Sequence, residues 1–128
     1  MDLFEYQGKS LYQKFNINHP KSKLIKNLND LNEPLELNFP IVVKAQVQVG
    51  GRGKAGGIKV AQDMSELKQH SEEILGMDIK GHLVEILLLE EASNILEEYY
   101  ISFTLDRSEK KYLIRLSAKG GMDIEQVA

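Results

Sequence analysis

The residues best equipped for chemistry lie in one short stretch, Gly50-Gly51-Arg52-Gly53-Lys54-Ala55-Gly56-Gly57, fed by a strand-like run that carries Lys44. Glycines let a backbone approach an anion closely and tolerate positive φ, so amide hydrogens can face phosphate oxygens. Arg52 and Lys54 add positive charge at the tip, and Lys59 extends the basic patch. The competing reading is a surface hairpin with solvated charges, because short glycine motifs often match by chance. A second cluster is acidic: Glu90, Glu91, Glu97 and Glu98. Carboxylates at a strand end can accept hydrogen bonds from ribose hydroxyls or an adenine amine, but on composition a solvated acidic connector is the preferred reading. His19, His70 and His82 lack metal-ligand spacing, and no nucleophile-elbow motif is present.

What the glycines can do depends on the elements around them. Gly51 to Gly56 satisfies G-x-G-x-x-G, whose dinucleotide-binding form must follow a strand and open a helix. Ile58-Lys59-Val60-Ala61 is strand-like instead, which excludes that form. The P-loop form fails as well, since Ala55 stands where Ser or Thr must follow the lysine and Gln48 where a glycine is required. A glycine-rich turn between two strands remains, closer in design to the flap over ATP phosphates in kinases. Ile41 to Val49 predicts the feeding strand, with Val43, Ala45, Val47 and Val49 on one side and Lys44, Gln46 and Gln48 on the other.

The rest of the chain reads as mixed helix and strand. Asp2 with Glu5 predicts a capping box, opening a helix with Phe4, Leu11 and Phe15 at apolar positions and with Gly8 as a weak point that permits a close contact. Leu24, Ile25, Leu28 and Leu31 predict a short amphipathic helix between Lys21 and Asn38. Asp63 with Glu66 predicts a second capping box, leading a helix with Met64, Leu67, Ile74 and Leu75 inward that stops at Gly76. Leu83 to Leu89 predicts a central strand buried on both faces. Tyr99–Leu105 and Lys111–Ser117 predict a β-hairpin around Asp106 to Lys110, and Met122 to Ala128 predicts the start of a helix.

The chain has 128 residues, 42% hydrophobic and 27% charged, in the range of one ordinary globular domain with a real core. A net charge of −3 argues against a dedicated nucleic-acid binder. Without cysteine there are no disulfides, thiolate metal sites or cysteine nucleophiles. The longest apolar run, Ile86 to Leu89, is too short to span a bilayer, and the first residues lack signal-peptide character. A cytosolic protein, or the mature part of an organellar one, is the expectation.

A run of blocks resembles the β subunit of succinyl-CoA synthetase. Leu3-Phe4-Glu5-Tyr6-Gln7-Gly8-Lys9 is similar to the opening of that family. Val42 to Val47 with Gly50 to Ile58 resembles its nucleotide-loop signature. Glu90-Glu91-Ala92, Glu98-Tyr99-Tyr100, Asp106-Arg107-Ser108 and Gly120-Gly121-Met122 through Ala128 resemble later blocks at consistent spacing. The similarity spans the chain and is weakest from Lys21 to Asn38.

The resemblance implies an α+β, ATP-grasp fold in which two lobes clamp a nucleotide, ATP/ADP or GTP/GDP. It places residues 1–20 and 99–128 in one lobe and 21–98 in the other. Lys44 would contact phosphates, and Gly51, Arg52 and Gly53 would form the flap. Glu90 and Ser93 would flank the adenine hinge, Glu98 would hold the ribose, and His19-Pro20 would lie near the base. The family passes a phosphoryl group between the nucleotide and a histidine on a partner α subunit, and reaches succinyl-CoA by way of succinyl phosphate. Family β subunits continue beyond the position of Ala128 into magnesium ligands and a further domain. The expectation is therefore a fragment holding the first lobe and the start of the second, with no catalytic or metal-binding residue of its own and an exposed apolar stretch from Tyr99 to Leu116. Lys119 departs from the family's usual Glu. Another acid–CoA ligase (malate or citrate) and a non-catalytic nucleotide-binding module are the alternatives.

Overall fold

The computed structural model describes residues 2–121, so the helix expected from Met122 lies outside the described residues. The chain divides into two compact units, residues 1–93 and the segment from Asn94 onward.

The first unit is built on a four-stranded antiparallel sheet in the order β1-β6-β2-β3, with β1 at Ser22–Ile25, β2 at Ile41–Ala45, β3 at Ile58–Ala61 and β6 at Leu87–Glu91. Alternation along β2 follows from the pleat: Ile41, Val43 and Ala45 are buried, while Val42 and Lys44 face the other side. The buried side packs against helix α2, Met64–Ile74, whose Leu67 and Ile74 are fully buried. As expected, α2 opens on Asp63, which accepts from the Glu66 amide at 2.9 Å. Glu66 returns its own carboxylate to the Gln62 amide, one residue earlier than in a regular capping box. The helix ends before Gly76, at φ +87°, where a residue with Cβ would be strained.

Four expectations are corrected. The amphipathic segment from Lys21 to Asn38 is not an α-helix: it forms β1 and a 3-10 turn, Leu28–Asn32. Asn27 accepts from the Asp30 amide, and Asp30 accepts from the amides of Lys26 and Asn27, so short polar side chains win the backbone groups an α-helix needs. The apolar run from Leu83 to Leu89 is split at the exposed Glu85. His82–Leu83 (β5) pairs with Asp78–Ile79 (β4), and β6 takes the central place between β1 and β2. The first helix, α1 at Glu5–Lys14, starts later than Asp2 suggests and buries none of its residues, with Leu11 and Phe15 exposed. Its opening turn is held by Gln7, whose Oε1 accepts from the Phe4 amide at 2.9 Å, because Glu5 is engaged elsewhere. Gly8 permits no close contact: a Cβ there would meet nothing within 4 Å.

The second unit contains the expected hairpin, β7 at Tyr100–Asp106 and β8 at Lys111–Ser117. Asp106 stabilises the turn by accepting from the amides of Ser108 and Glu109, both at 3.0 Å. No helix among the described residues is long and apolar enough to cross a membrane.

Candidate nucleotide site

Lys44 and Glu90 lie on the sheet face opposite α2. The register pairs Lys44 with Leu88 and Val42 with Glu90, so the two charged residues are diagonal neighbours on adjacent strands. Lys44 Nζ donates to Glu90 Oε1 at 2.6 Å and to Glu5 Oε1 at 3.1 Å. Helix α1 reaches this face through Glu5 and Lys9, one turn apart, and Lys9 pairs with both Glu5 (3.0 Å) and Glu90. From the glycine loop, the Arg52 guanidinium reaches Glu5 Oε2 at 2.9 Å and donates to the Ala45 carbonyl at 2.8 Å. The buried Gln46 accepts from the Tyr6 amide at 3.1 Å and ties α1 to the end of β2.

The cluster therefore holds three cations, Lys9, Lys44 and Arg52, against two carboxylates, Glu5 and Glu90. Burial alone would raise the Glu5 carboxyl. The charge of Lys44, the hydrogen bond from Lys9 and the charge of Arg52 outweigh it and bring Glu5 down to about 2. Burial pulls Lys44 downward, but the hydrogen bond to Glu90 and the charges of Glu5 and Glu90 raise it above the usual lysine range. The Glu5 carboxylate therefore stays ionised at neutral pH, and the Lys44 amine stays charged. A dianionic phosphate is the kind of group that could replace Glu5 against Lys44 and Arg52 with charge-assisted hydrogen bonds.

The glycine loop joins β2 to β3, as the sequence predicts. It is curled rather than extended: the amides of Ala55, Gly56 and Gly57 bond to the carbonyls of Gly51, Gly53 and Arg52. Among the described residues, the amides of Gly51, Arg52 and Gly53 find no acceptor and are left to water or a ligand. Gly51 and Gly56 both take φ +81°. Gly57 is required for another reason, since a Cβ there would fall 2.6 Å from Ile79 Cδ1 and 3.1 Å from Ala45 Cβ.

The structure thus gathers Lys44, Arg52 and Glu90, with Gly51 and Gly53 on the same loop as Arg52. Glu90 is not part of a solvated connector; it is the penultimate residue of a central strand, buried, with both carboxylate oxygens on lysines. Ser93 is exposed and shares a depression of about 400 Å³ with Asn18, His19, Pro20, Glu91 and Ala92. Glu98 belongs to the second unit, where its carbonyl accepts from the Gly120 amide at 3.1 Å. Lys59 leaves the basic patch, because its side chain pairs with Glu73 on α2. Sequence reasoning overlooked Glu5, Lys9 and Gln46 as site residues. The charged i,i+4 pair on a helix with little apolar surface was the available signal for the first two.

Comparison with known proteins gives this site a setting. A family described as the ATP-grasp domain matches residues 2–128. Among solved structures, the dinucleotide-forming acetyl-coenzyme A synthetase 1 of Ca. Korarchaeum cryptofilum, with coenzyme A and Ca-AMPCP bound, superposes with a TM-score of 0.70 at 24% identity. The match covers 90% of this chain and 53% of that one. ATP citrate lyase from Methanothrix soehngenii, with citrate and coenzyme A, gives 0.67 at 22% identity, covering 94% of this chain and 32% of that one. D-alanine–D-alanine ligase from Helicobacter pylori gives 0.64 at 17%, covering 91% and 34%. The chain spans about half or less of each of these proteins, and at such identities the likeness is one of fold.

Proposed function

The chain belongs to the ATP-grasp domain family, and from that premise we propose that it is the nucleotide-binding part of the β subunit of a succinate–CoA ligase. The observation that carries the nucleotide half of this reading is the convergence of Lys44, from a strand, and Arg52, from the loop, on one carboxylate beside amides with no internal acceptor. On binding, phosphate oxygens take the place of Glu5 against these cations, and Gly51, Arg52 and Gly53 close over them. Glu90 keeps Lys44 in place while its strand end flanks the base with Ser93. The depression beside His19 and Pro20 receives the base, and Glu98 holds the ribose. Phosphoryl transfer rests mainly on positioning and charge stabilisation, which a fixed cationic clamp supplies.

The succinate half is carried by the run of sequence blocks from Leu3 to Ala128. On that reading the phosphoryl group passes to a histidine of an α subunit, and the setting is the cytosol or the mitochondrial matrix. Among the described residues no group of three His, Cys, Asp or Glu could hold a metal ion, and on this reading magnesium belongs to the full-length subunit, through residues that this chain does not contain. Another acid–CoA ligase accounts for the fold about as well, since acetyl-coenzyme A synthetase and ATP citrate lyase share it. Calorimetric titration with ATP and GTP tests the nucleotide half. Lys44→Ala is expected to weaken binding about tenfold or more, and an unchanged affinity removes Lys44 from the phosphate site. Turnover of the full-length subunit with its partner on succinate, malate and citrate separates the acids.

A further inference from the structure

A second cation reaches the glycine loop from outside it. Strands β4 and β5 form a tight hairpin whose two tip residues, Lys80 (φ +53°) and Gly81 (φ +84°), are both left-handed, as in a type I′ turn. Asp78 Oδ1 accepts from the Gly81 amide at 2.9 Å and fixes that tip. A left-handed conformation is unfavourable for a residue with Cβ, yet here it turns Lys80 onto the loop. A Cβ placed on Gly51 would lie 3.0 Å from Lys80 Nζ and 3.5 Å from its Cε. The neighbouring Ile79 fills the space that a side chain at Gly57 would need. The hairpin is thus clasped to the glycine run at both ends, through Ile79 on Gly57 and Lys80 on Gly51.

The electrostatic setting of Lys80 differs from that of the cluster. Lys9, Lys44 and Arg52 are each held by carboxylates. Lys80 is exposed and makes no ion pair or hydrogen bond among the described residues, although its ammonium rests against a glycine whose amide has no acceptor either. A cation held at an open backbone loop with no carboxylate paired to it among the described residues suits an arriving polyanion. We infer that Lys80 is a further phosphate-binding residue, placing its ammonium from the β4–β5 tip on the polyphosphate held by the loop from Gly50 to Gly57. This rests on the nucleotide-binding reading above and adds a contact from a separate hairpin.

Titration of the chain with ATP and with inorganic tripolyphosphate, for wild type, Lys80→Gln and Lys80→Arg, tests it. Because Lys80 is exposed, water and salt limit its effect to about fivefold to tenfold for either ligand. Lys80→Gln is expected to show that loss and a shallower salt dependence, with Lys80→Arg retaining most of the affinity. Equal affinity of Lys80→Gln and wild type overturns the assignment and leaves the nucleotide reading standing. Equal losses in Lys80→Gln and Lys80→Arg overturn it too, since the charge would then be irrelevant. A wild type that binds neither ligand overturns the nucleotide reading and this inference together.

Discussion

In the unit of residues 1–93, Leu87 and Leu89 are fully buried; in the hairpin that follows Asn94, Phe103 is 66% and Leu116 74% exposed. Both regions are antiparallel strands with clear alternation. On the hairpin, Ile101 pairs with Leu116, Phe103 with Ile114 and Leu105 with Tyr112, so the register gathers six apolar side chains on one face. What differs is the covering element. Helix α2 lies on the apolar face of the four-stranded sheet, and the described residues of the second unit supply no such layer for the hairpin. Pattern determines which side chains share a face, and only a partner layer turns that face into a core.

The sharpest test of this contrast removes one apolar side chain from each region. Leu89→Ala is expected to cost about 2–5 kcal/mol through lost burial and the cavity left behind. Phe103→Ala is expected to stay within about 0.5 kcal/mol, as at an exposed site. Urea unfolding measures both, and a loss above about 2 kcal/mol for Phe103→Ala would break the comparison. An exposed face of this size also favours self-association. Sedimentation of wild type against a Phe103→Ser, Leu116→Ser double variant should show less association in the variant.

A smaller effect comes from backbone that must pass close to its neighbours. Gly57→Ala brings a Cβ against Ile79, Ala45 and the Arg52 carbonyl, at 2.6, 3.1 and 3.2 Å. Overpacking of this kind costs about 1–3 kcal/mol, and the strain falls on the loop that carries Arg52, so ATP affinity should fall with it. Gly8→Ala is the opposite case. It sits in α1 with open space around it, and there alanine should stabilise by about 0.5–1 kcal/mol. Thermal unfolding of the pair checks both signs.

Legibility in the sequence followed the range of the interaction. The β2–loop–β3 unit, the capped α2 and the final hairpin were readable because local alternation, Asp63 and the polar turn at Asp106 decide them. The segment from Lys21 to Asn38 was not. Its leucines fit a helical period, but Ile25 is claimed by pairing with Leu87 across the sheet, and Asn27 and Asp30 hold the turn. Lys44 and Arg52 stood out as candidates by residue type, and the structure brings both onto one carboxylate. On composition Glu90 looked like one of several solvated acids, while the family resemblance set it beside the base; the strand register puts it diagonally beside Lys44. Glu5 was read as a capping residue, and only the tertiary fold shows that three cations compete for it.

Glu5 also gives a small predicted effect, and its sign is fixed by the direction of the shift. Its carboxyl is held down at about 2 in the folded chain, against about 4.5 ordinarily. The unfolded chain thus takes up a proton first as pH falls, and the stabilisation from Glu5 is complete above about pH 4.5 and gone near pH 2. Water reaches this cluster, so at neutral pH Glu5→Gln should cost only on the order of 1 kcal/mol. Urea midpoints of wild type and Glu5→Gln should differ at pH 7 and converge as the pH drops through that window. A difference that persists to pH 2 would mean that packing around α1, rather than charge, joins it to the sheet. Phosphate competing with Glu5 for Lys44 and Arg52 gives the same variant a second consequence: ATP should bind Glu5→Gln more tightly than wild type, while the free protein is less stable.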